Sequence, residues 1–495
     1  MMRQLKAFVV FLSVVLLLKD NLAANDWDKI DRPITKLSAI ASGMSWVGKA
    51  VDEPDYYVWC TSPIMGPDGK VNLFCSRWPK EYKFDGWSSH CEIAHYIGDS
   101  PEGPFHFVDI AIPSNPDAPF NNSVHNPCIS KAGDKYVLMY ITFDRTKGGQ
   151  MVSCMATSDS LNGPWKKEGD DGVVIKPSED PHHWTYKPWA MDNPTFVAFN
   201  GKYYIYFKAA PAGHQFESRY GYAVSDNLEG PYTLSDAPCT DNISYIEDAC
   251  AFVWDGKVCL MTTDNFGTQT GIEGGGILWK SDDPTQFHIA DAEIGFLHPS
   301  EYWNLVIDFD LSKSTKLYTS NNVIKFERPG ILMINGKPAY FYGACGTNFY
   351  GEDHTCSYVM KINITNAKDL ALSKPVEVSS SWANRSDLDK SHVTDGDFGS
   401  SWATSESSRD GWVQVDLQKV QKVSEVYLGD GPYHRTEAFD VEAQIGDAWQ
   451  KIAEGTTIGD KLVLTFPPVE ARLFRVNIRR ASDTPTLSEF QLFEK

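Results

Sequence analysis

Five side chains stand at matching places in a repeated pattern: Thr61, His125, Asp192, Glu247 and Glu327. Three are carboxylic acids and one is a histidine. A structural repeat alone does not require acids there. Carboxylates crowded into a shared pocket shift one another's proton affinities, which suits acid–base chemistry. Cleavage of a glycosidic bond needs such a pair: one protonated acid for the leaving oxygen, and one carboxylate as base or nucleophile. On this reading Glu247 is the general acid, and Asp192 is the base or the carboxylate that tunes it. Glu327 holds a sugar hydroxyl or serves as base. His125 binds substrate or shares the proton work. Asp248 replaces Glu247 if the register slips by one.

The elements that must position these residues are legible as a repeat. Each unit begins with two polar residues and usually a proline: Thr61-Ser62-Pro63, His125-Asn126-Pro127, Asp192-Asn193-Pro194, Glu247-Asp248-Ala249 and Glu327-Arg328-Pro329. An apolar stretch follows, then a turn ending in lysine: Asp68-Gly69-Lys70, Gly133-Asp134-Lys135, Asn200-Gly201-Lys202, Asp255-Gly256-Lys257 and Asn335-Gly336-Lys337. Asn-Gly and Asp-Gly are strong hairpin signals, because type I′ turns need positive φ at both central residues. Strand formers come next. A second motif then recurs: Asp99-Ser100-Pro101-Glu102-Gly103-Pro104-Phe105, Asp159 to Trp165, Asp226 to Tyr232, and a degenerate copy at Asp282 to Phe287. The units start roughly 55 to 80 residues apart, enough for a four-stranded blade and its loops. The expected fold is all-β: a five-bladed β-propeller over 25–365, followed by a jelly-roll β-sandwich over 366–495. An array of β-sandwiches is the rival. In a propeller the five leading residues converge on one funnel. Arg77, His90, Glu92, Trp184, Trp189, Lys208 and Arg328 fall in or beside inner-strand segments and are expected to line it. Arginine grips hydroxyl, carboxylate or sulfate groups. The glycine-rich stretch from Asp264 to Gly276 reads as a rim loop, since it lacks the strand-to-helix context of a phosphate cradle.

Acids at blade starts, Asp-Gly-Lys hairpins and Gly-Pro-aromatic turns together resemble glycoside hydrolase family 43. They are also similar to family 117 and to the family 32 and 68 fructan enzymes. The resemblance covers roughly residues 40 to 365. It implies a sugar substrate, no catalytic cofactor and a carboxylate mechanism. The sequence departs from family 43 at each motif position: Thr61-Ser62 stands for the blade-one base aspartate, His125-Asn126 for the blade-two aspartate, and Asp192 for the blade-three glutamate. In family 117, carboxylates on the third and fourth blades contribute to the site, and Asp192 and Glu247 are similar to those.

Beyond about residue 366 the repeat stops. Asp395-Gly396-Asp397, Ser401-Trp402-Ala403, Gly411 to Leu417, Ala471 to Val476 and Leu487 to Gln491 resemble the discoidin, or coagulation factor C-type, domain. That domain is also classed as carbohydrate-binding module family 32. The resemblance implies an eight-stranded jelly roll that often holds a structural calcium ion through oxygen ligands. Asp395, Asp397 and Glu489 fall where such ligands are expected. Tyr433, His434 and Arg435 form one exposed patch for a ligand.

The 495 residues carry a net charge of −20, which argues against nucleic acid or anionic membrane as partners. Arg3 and Lys6 precede an apolar run from Ala7 to Leu18 and a small-residue site at Ala23-Ala24, an export signal over 1–24. The run is too short to span a bilayer comfortably. The protein is thus expected to be secreted or periplasmic. Its ten cysteines match no metal motif and read as bridges and buried thiols. The expected function is an exported, exo-acting glycosidase that takes a terminal sugar from plant or algal polysaccharide fragments. Two alternatives stay open: a sugar-binding propeller without catalysis, and a transglycosidase or phosphorylase on the same fold. A phosphorylase needs basic residues near the acids, and no such cluster is visible in the sequence.

Overall fold

The computed structural model describes residues 33–303, 325–346, 355–364, 369–459 and 462–494, apart from 189, 212–213, 215–216, 398–399 and 431–432. The expected export signal and Trp189 lie outside the described residues. The chain divides into two compact units. One holds the described residues of 43–363, and the other holds 34–42 together with 364–495.

Hairpin chemistry builds the first unit. Asn200-Gly201 and Asp255-Gly256 have positive φ at both positions. These are two-residue turns that only such residue types adopt at low cost. They join Met191–Phe199 to Lys202–Ala209, and Ile246–Trp254 to Lys257–Asp264. Each hairpin extends into a four-stranded antiparallel sheet, and there are five such sheets among the described residues. Four are assembled in chain order. The fifth takes Glu327–Ile334, Lys337–Gly346 and Thr355–Ile362, and borrows its outer strand, Met44–Val51, from ahead of the first sheet. The inner strand of each sheet packs on the inner strand of the next, and the fifth packs on the first. The result is a closed five-bladed propeller. Apolar layers fill the space between blades: Phe74, Leu138 and Tyr140 in one, Met139, Phe196 and Phe207 in another.

The two motifs of the repeat are partners. The turn lysine of each of the first four blades pairs with the aspartate of the second motif in the same blade. The pairs are Lys70–Asp99 (2.8 Å), Lys135–Asp159 (2.7 Å), Lys202–Asp226 (3.3 Å) and Lys257–Asp282 (3.0 Å). Being exposed, they match turn to turn more than they stabilise. All ten cysteines are buried thiols. Burial pushes those of Cys75, Cys259 and Cys356 up to about 12, which leaves them poor nucleophiles.

Every inner strand is broken by a bulge near its start. The second residue of each bulge has positive φ: Cys60, Asn126, Asn193, Asp248 and Arg328, all between 53° and 64°. Asn and Asp tolerate this region; Cys and Arg carry strain there. The register corrects one expectation. Trp59, not Thr61, is the blade-one counterpart of His125, Asp192, Glu247 and Glu327. In the other blades the residue after the positive-φ position is Pro127, Pro194, Ala249 or Pro329; in blade one it is Thr61, and Pro63 comes two residues later.

The five positive-φ side chains meet in a ring. Cys60 Sγ lies 2.9 Å from the Asn126 amide, and Asn193 Nδ2 donates to Asp248 Oδ1 at 3.0 Å. Arg328 Nε lies 2.8 Å from Asp248 Oδ1, and its backbone N–H donates to Asp248 Oδ2 at 3.2 Å. The guanidinium also donates to the amide oxygens of Asn193 and Asn126. Asp248, expected as the acid if the register slipped or as a substrate contact, and Arg328, expected to line the funnel, are therefore committed to each other.

The second unit is a sandwich of eight described strands. Its main sheet runs Val376–Val378, Gly411–Gly429, Leu462–Ala481, Thr436–Ile445 and Ala448–Gly455, with Glu489–Phe493 added to the second of these. Alternate residues Val413, Val415, Phe439, Val441, Phe474 and Val476 point into a core that includes Trp402 and Phe490.

Arg328→Met would leave the Asp248 carboxylate buried without its cation. A loss of about 3–5 kcal/mol is expected from urea unfolding. Adding Asp248→Asn to that variant should recover part of it. An unchanged unfolding midpoint in the single variant would contradict the ring.

Candidate active site

In blades three, four and five the residues that precede the positive-φ positions, Asp192, Glu247 and Glu327, lie in one cluster. Strand alternation puts the side chains two positions away on the same side. Lys325 thus joins Glu327, and Tyr245 joins Glu247. Lys208 arrives from the second strand of blade three, opposite Asp192 in the register. The buried Lys208 ammonium lies 3.5 Å from Asp192 Oδ1 and 3.0 Å from Glu247 Oε2. The Lys325 ammonium lies 2.7 Å from Glu327 Oε1 and 3.7 Å from Glu247 Oε1. Tyr245 donates its hydroxyl to Glu247 Oε2 at 2.6 Å. Asn265 donates to Glu247 Oε1 and accepts from Lys325 at 2.8 Å. Glu247 is the most open of these carboxylates, with 14% of its side chain exposed against 3% for Asp192 and 8% for Glu327.

Charge counting decides who holds protons. Among the described residues the cluster has four carboxylates, Asp192, Glu247, Asp248 and Glu327. It has three permanent cations, Lys208, Lys325 and Arg328. A buried group of this kind is closest to neutral when one carboxylate is protonated. The environments differ. Burial favours a proton on Glu247, but Lys208, Lys325 and the hydrogen bonds from Tyr245 and Asn265 outweigh it and hold this carboxyl well below the usual range. Burial pushes Glu327 well above that range, against Lys325, with Asp248 and Glu247 adding to the rise. Burial also raises Asp192, against Lys208 and Arg328. These surroundings push the two glutamates in opposite directions, Glu247 toward the ionised form and Glu327 toward the protonated one. The sequence made Glu247 the acid; the direction of the shifts favours Glu327 in that role.

His125 is buried against Trp87 and Phe143, with ring centroids 5.2 and 5.4 Å away. Burial, with help from Arg328, lowers its imidazole to about 3, so it stays neutral. Neither ring nitrogen has a hydrogen-bond partner among the described residues. Glu247, Asp248 and Glu327 also present oxygens close enough to bracket a metal ion. Lys325 and Arg328 already face those oxygens with positive charge.

Other expected lining residues are engaged elsewhere. Arg77 binds Glu53 at 2.9 Å and Glu92 at 3.0 Å, with its guanidinium between the rings of Tyr56 and Phe107. It braces blade one. Trp184 stacks on Phe207 and donates to the Ser235 carbonyl at 2.8 Å. His90 stacks on Tyr82. Two contributors were missed, Tyr245 and Lys325, and Asn265 was read only as part of the rim loop. Period-2 spacing from Glu247 and Glu327 was the available signal for the two that were missed. A basic group that was not visible as a run in the sequence is assembled from Lys208, Lys325 and Arg328, each taken up by carboxylates.

In the second unit Glu489 is fully buried. Neither of its oxygens has a well-formed hydrogen bond. Burial and the neighbouring Asp395, Asp369 and Asp397 carboxylates push it up to about 10, offset only in part by the Gly396 amide. Asp395, Asp369 and Asp397 thus lie near enough to Glu489 to raise it, but among the described residues they do not form a group of acids whose oxygens all close on one point, as Glu247, Asp248 and Glu327 do. An orphaned carboxylate facing other carboxylates fits a hard divalent cation.

Comparison with known proteins bears on both units. Residues 375–490 match the F5/8 type C domain family. Over 98 residues the chain is 42% identical to xylosidase/arabinosidase 43A of Humicola insolens, covering 20% of this chain and 27% of that one. Over 94 residues it is 32% identical to a putative α-L-fucosidase 1 of Oryza sativa subsp. japonica, covering 19% of this chain and 18% of that one. The chain thus spans about a quarter or less of the curated relatives it matches. A solved family 117 glycoside hydrolase from Zobellia galactanivorans aligns with 68% of this chain and 93% of its own, at 17% identity and a TM-score of 0.44. The chain carries an F5/8 type C, or discoidin, domain at its carboxyl end and shares sequence with glycoside hydrolases over part of its length.

Proposed function

We propose that the protein is a glycoside hydrolase, exported and exo-acting, that removes a terminal sugar from a plant or algal oligo- or polysaccharide. One observation carries the reading: Glu247 and Glu327 share Lys325 in one buried cluster, yet Lys208, Tyr245 and Asn265 reach Glu247 as well, so their surroundings push the two carboxyls in opposite directions. Such a pair supplies the two roles that glycoside cleavage needs. Glu327 holds the proton for the leaving oxygen. Glu247, ionised, faces the positive charge that develops at the anomeric carbon. Lys208 and Lys325 keep Glu247 ionised, and Tyr245 and Asn265 fix its orientation. Asp192 shares Lys208 and tunes the balance. The names of the relatives support the same class. Trp59 at the blade-one position is the observation that favours a sugar-binding propeller without catalysis, since no acid stands there.

The discoidin domain serves as a second sugar-binding element in this reading. Tyr433 is half exposed, and the Arg435 guanidinium lies 4.2 Å above its ring. A calcium ion held by Asp395, Asp397 and Glu489 would screen carboxylates that otherwise repel one another.

Product chromatography over a panel of plant and red-algal oligosaccharides tests the activity. Wild type should release a monosaccharide. Glu247→Gln and Glu327→Gln should each lower kcat by about 100- to 10,000-fold. Full release by either variant would sink the assignment. No release by wild type from any substrate would favour the sugar-binding propeller. The pH profile has a definite sign. Activity needs Glu247 ionised and Glu327 protonated; Glu247 is held low and stays ionised over the working range, so the limb to expect is a fall toward high pH as Glu327 loses its proton. Glu327→Gln should abolish that fall in its residual activity.

Calcium at about 100 times its dissociation constant should stabilise the discoidin domain by about 2.7 kcal/mol, read as a higher melting temperature that EDTA reverses. Glu489→Gln should remove the difference. A melting temperature indifferent to calcium would rule out the ion.

A further inference from the structure

The glycine-rich loop that follows Asp264 is built rather than slack. The buried Asp264 carboxylate accepts from Gln269 N (3.0 Å), Thr270 N (2.9 Å) and Thr270 Oγ1 (2.9 Å). Its backbone carbonyl accepts from Gly267 and Gly274. Gly267 and Gly274 turn with φ of +64° and +71°; a Cβ at Gly274 would lie 2.4 Å from Lys325 Cβ. A loop tied at so many points holds what it carries in place. It carries Asn265 onto Glu247, and beside that residue it carries Phe266.

Phe266 is 39% exposed. Its ring lies 5.8 Å from that of Tyr245, the residue whose hydroxyl binds Glu247. Lys208 Nζ sits 5.3 Å from the Tyr245 centroid. Ile243, two residues before Tyr245, is 63% exposed, and its N–H donates to Gln269 of the same loop at 3.2 Å. Two large apolar side chains are thus partly or largely exposed here, Phe266 against the Tyr245 ring and Ile243 two residues before Tyr245 on a segment tied to the same loop, near the most open carboxylate of the cluster. Exposed apolar surface fixed on a rigid element beside polar groups marks a place where something binds. A sugar ring has the matching chemistry: an apolar C–H face for an aromatic ring, and hydroxyls at its edge for Glu247 and Asn265. Every cation of the cluster is taken up by a carboxylate, so the matching sugar is uncharged.

We propose that Phe266 and Ile243 form a stacking platform for a neutral sugar ring bound beside Glu247, and so help to select the glycan. The inference rests on the glycosidase reading above. Steady-state kinetics of wild type, Phe266→Ala and Phe266→Trp, on an oligosaccharide that wild type cleaves, test it. Phe266→Ala should raise KM about tenfold, as expected when one aromatic face is withdrawn from a bound sugar, while kcat changes far less. Phe266→Trp should restore KM. Melting curves should show all three folded at the assay temperature, so that a change in KM is read on folded protein. An unchanged KM in Phe266→Ala, with wild type active, would overturn the platform and leave the glycosidase reading standing. So would a Phe266→Trp variant as impaired as Phe266→Ala. A wild type that cleaves nothing would overturn the glycosidase reading, and the platform with it.

Discussion

A guanidinium buried at the centre of a protein must be met by a carboxylate, and the pairing of Arg328 with Asp248 meets that demand. The ring around this pair takes one residue from each blade, each on a strained or left-handed backbone. That strain persists because the surrounding hydrogen bonds over-determine it. In three blades the residue before the bulge is an acid, and those three acids share two lysines. Asp192, Glu247 and Glu327 therefore share a site because Asn193, Asp248 and Arg328 share a ring. The acids belong to the geometry of the plug as much as to their own strands.

Electrostatics then divides the acids. Glu247 meets two ammoniums and two hydrogen-bond donors, while Glu327 meets one ammonium and two carboxylates. Identical side chains at equivalent blade positions are thus pushed in opposite directions. The difference comes from Lys208, Tyr245 and Asn265, which reach Glu247 and not Glu327, while Lys325 touches both.

The blades were legible because their hairpins use residues that tolerate positive φ, such as Asn200-Gly201 and Asp255-Gly256, and because turn lysines recur at a fixed place. Four of the five leading residues were legible for the same reason. The blade-one residue was not: Pro63 imitates the prolines of the other blades but sits two residues beyond Thr61, which hides Trp59 as the true counterpart. The protonation states were hidden because charge neighbours come from distant parts of the chain. Arg77 and Trp184 looked like lining residues because inner-strand position alone does not say which way a side chain packs. In the discoidin domain Asp395, Asp397 and Glu489 were named through a family resemblance, and Asp369, which also raises Glu489, lies ahead of those motifs.

The fifth blade is completed by Met44–Val51, a strand made before any other blade strand, paired with Thr355–Ile362, the last blade strand made. During synthesis, then, the earliest strand waits for the latest. Until the chain has grown past Ile362, the ring is an open arc, and Met44–Val51 is an unmatched edge able to pair wrongly. Closure is an event of the finished chain, and the assembly of the acids around Arg328 comes no earlier than the last blade.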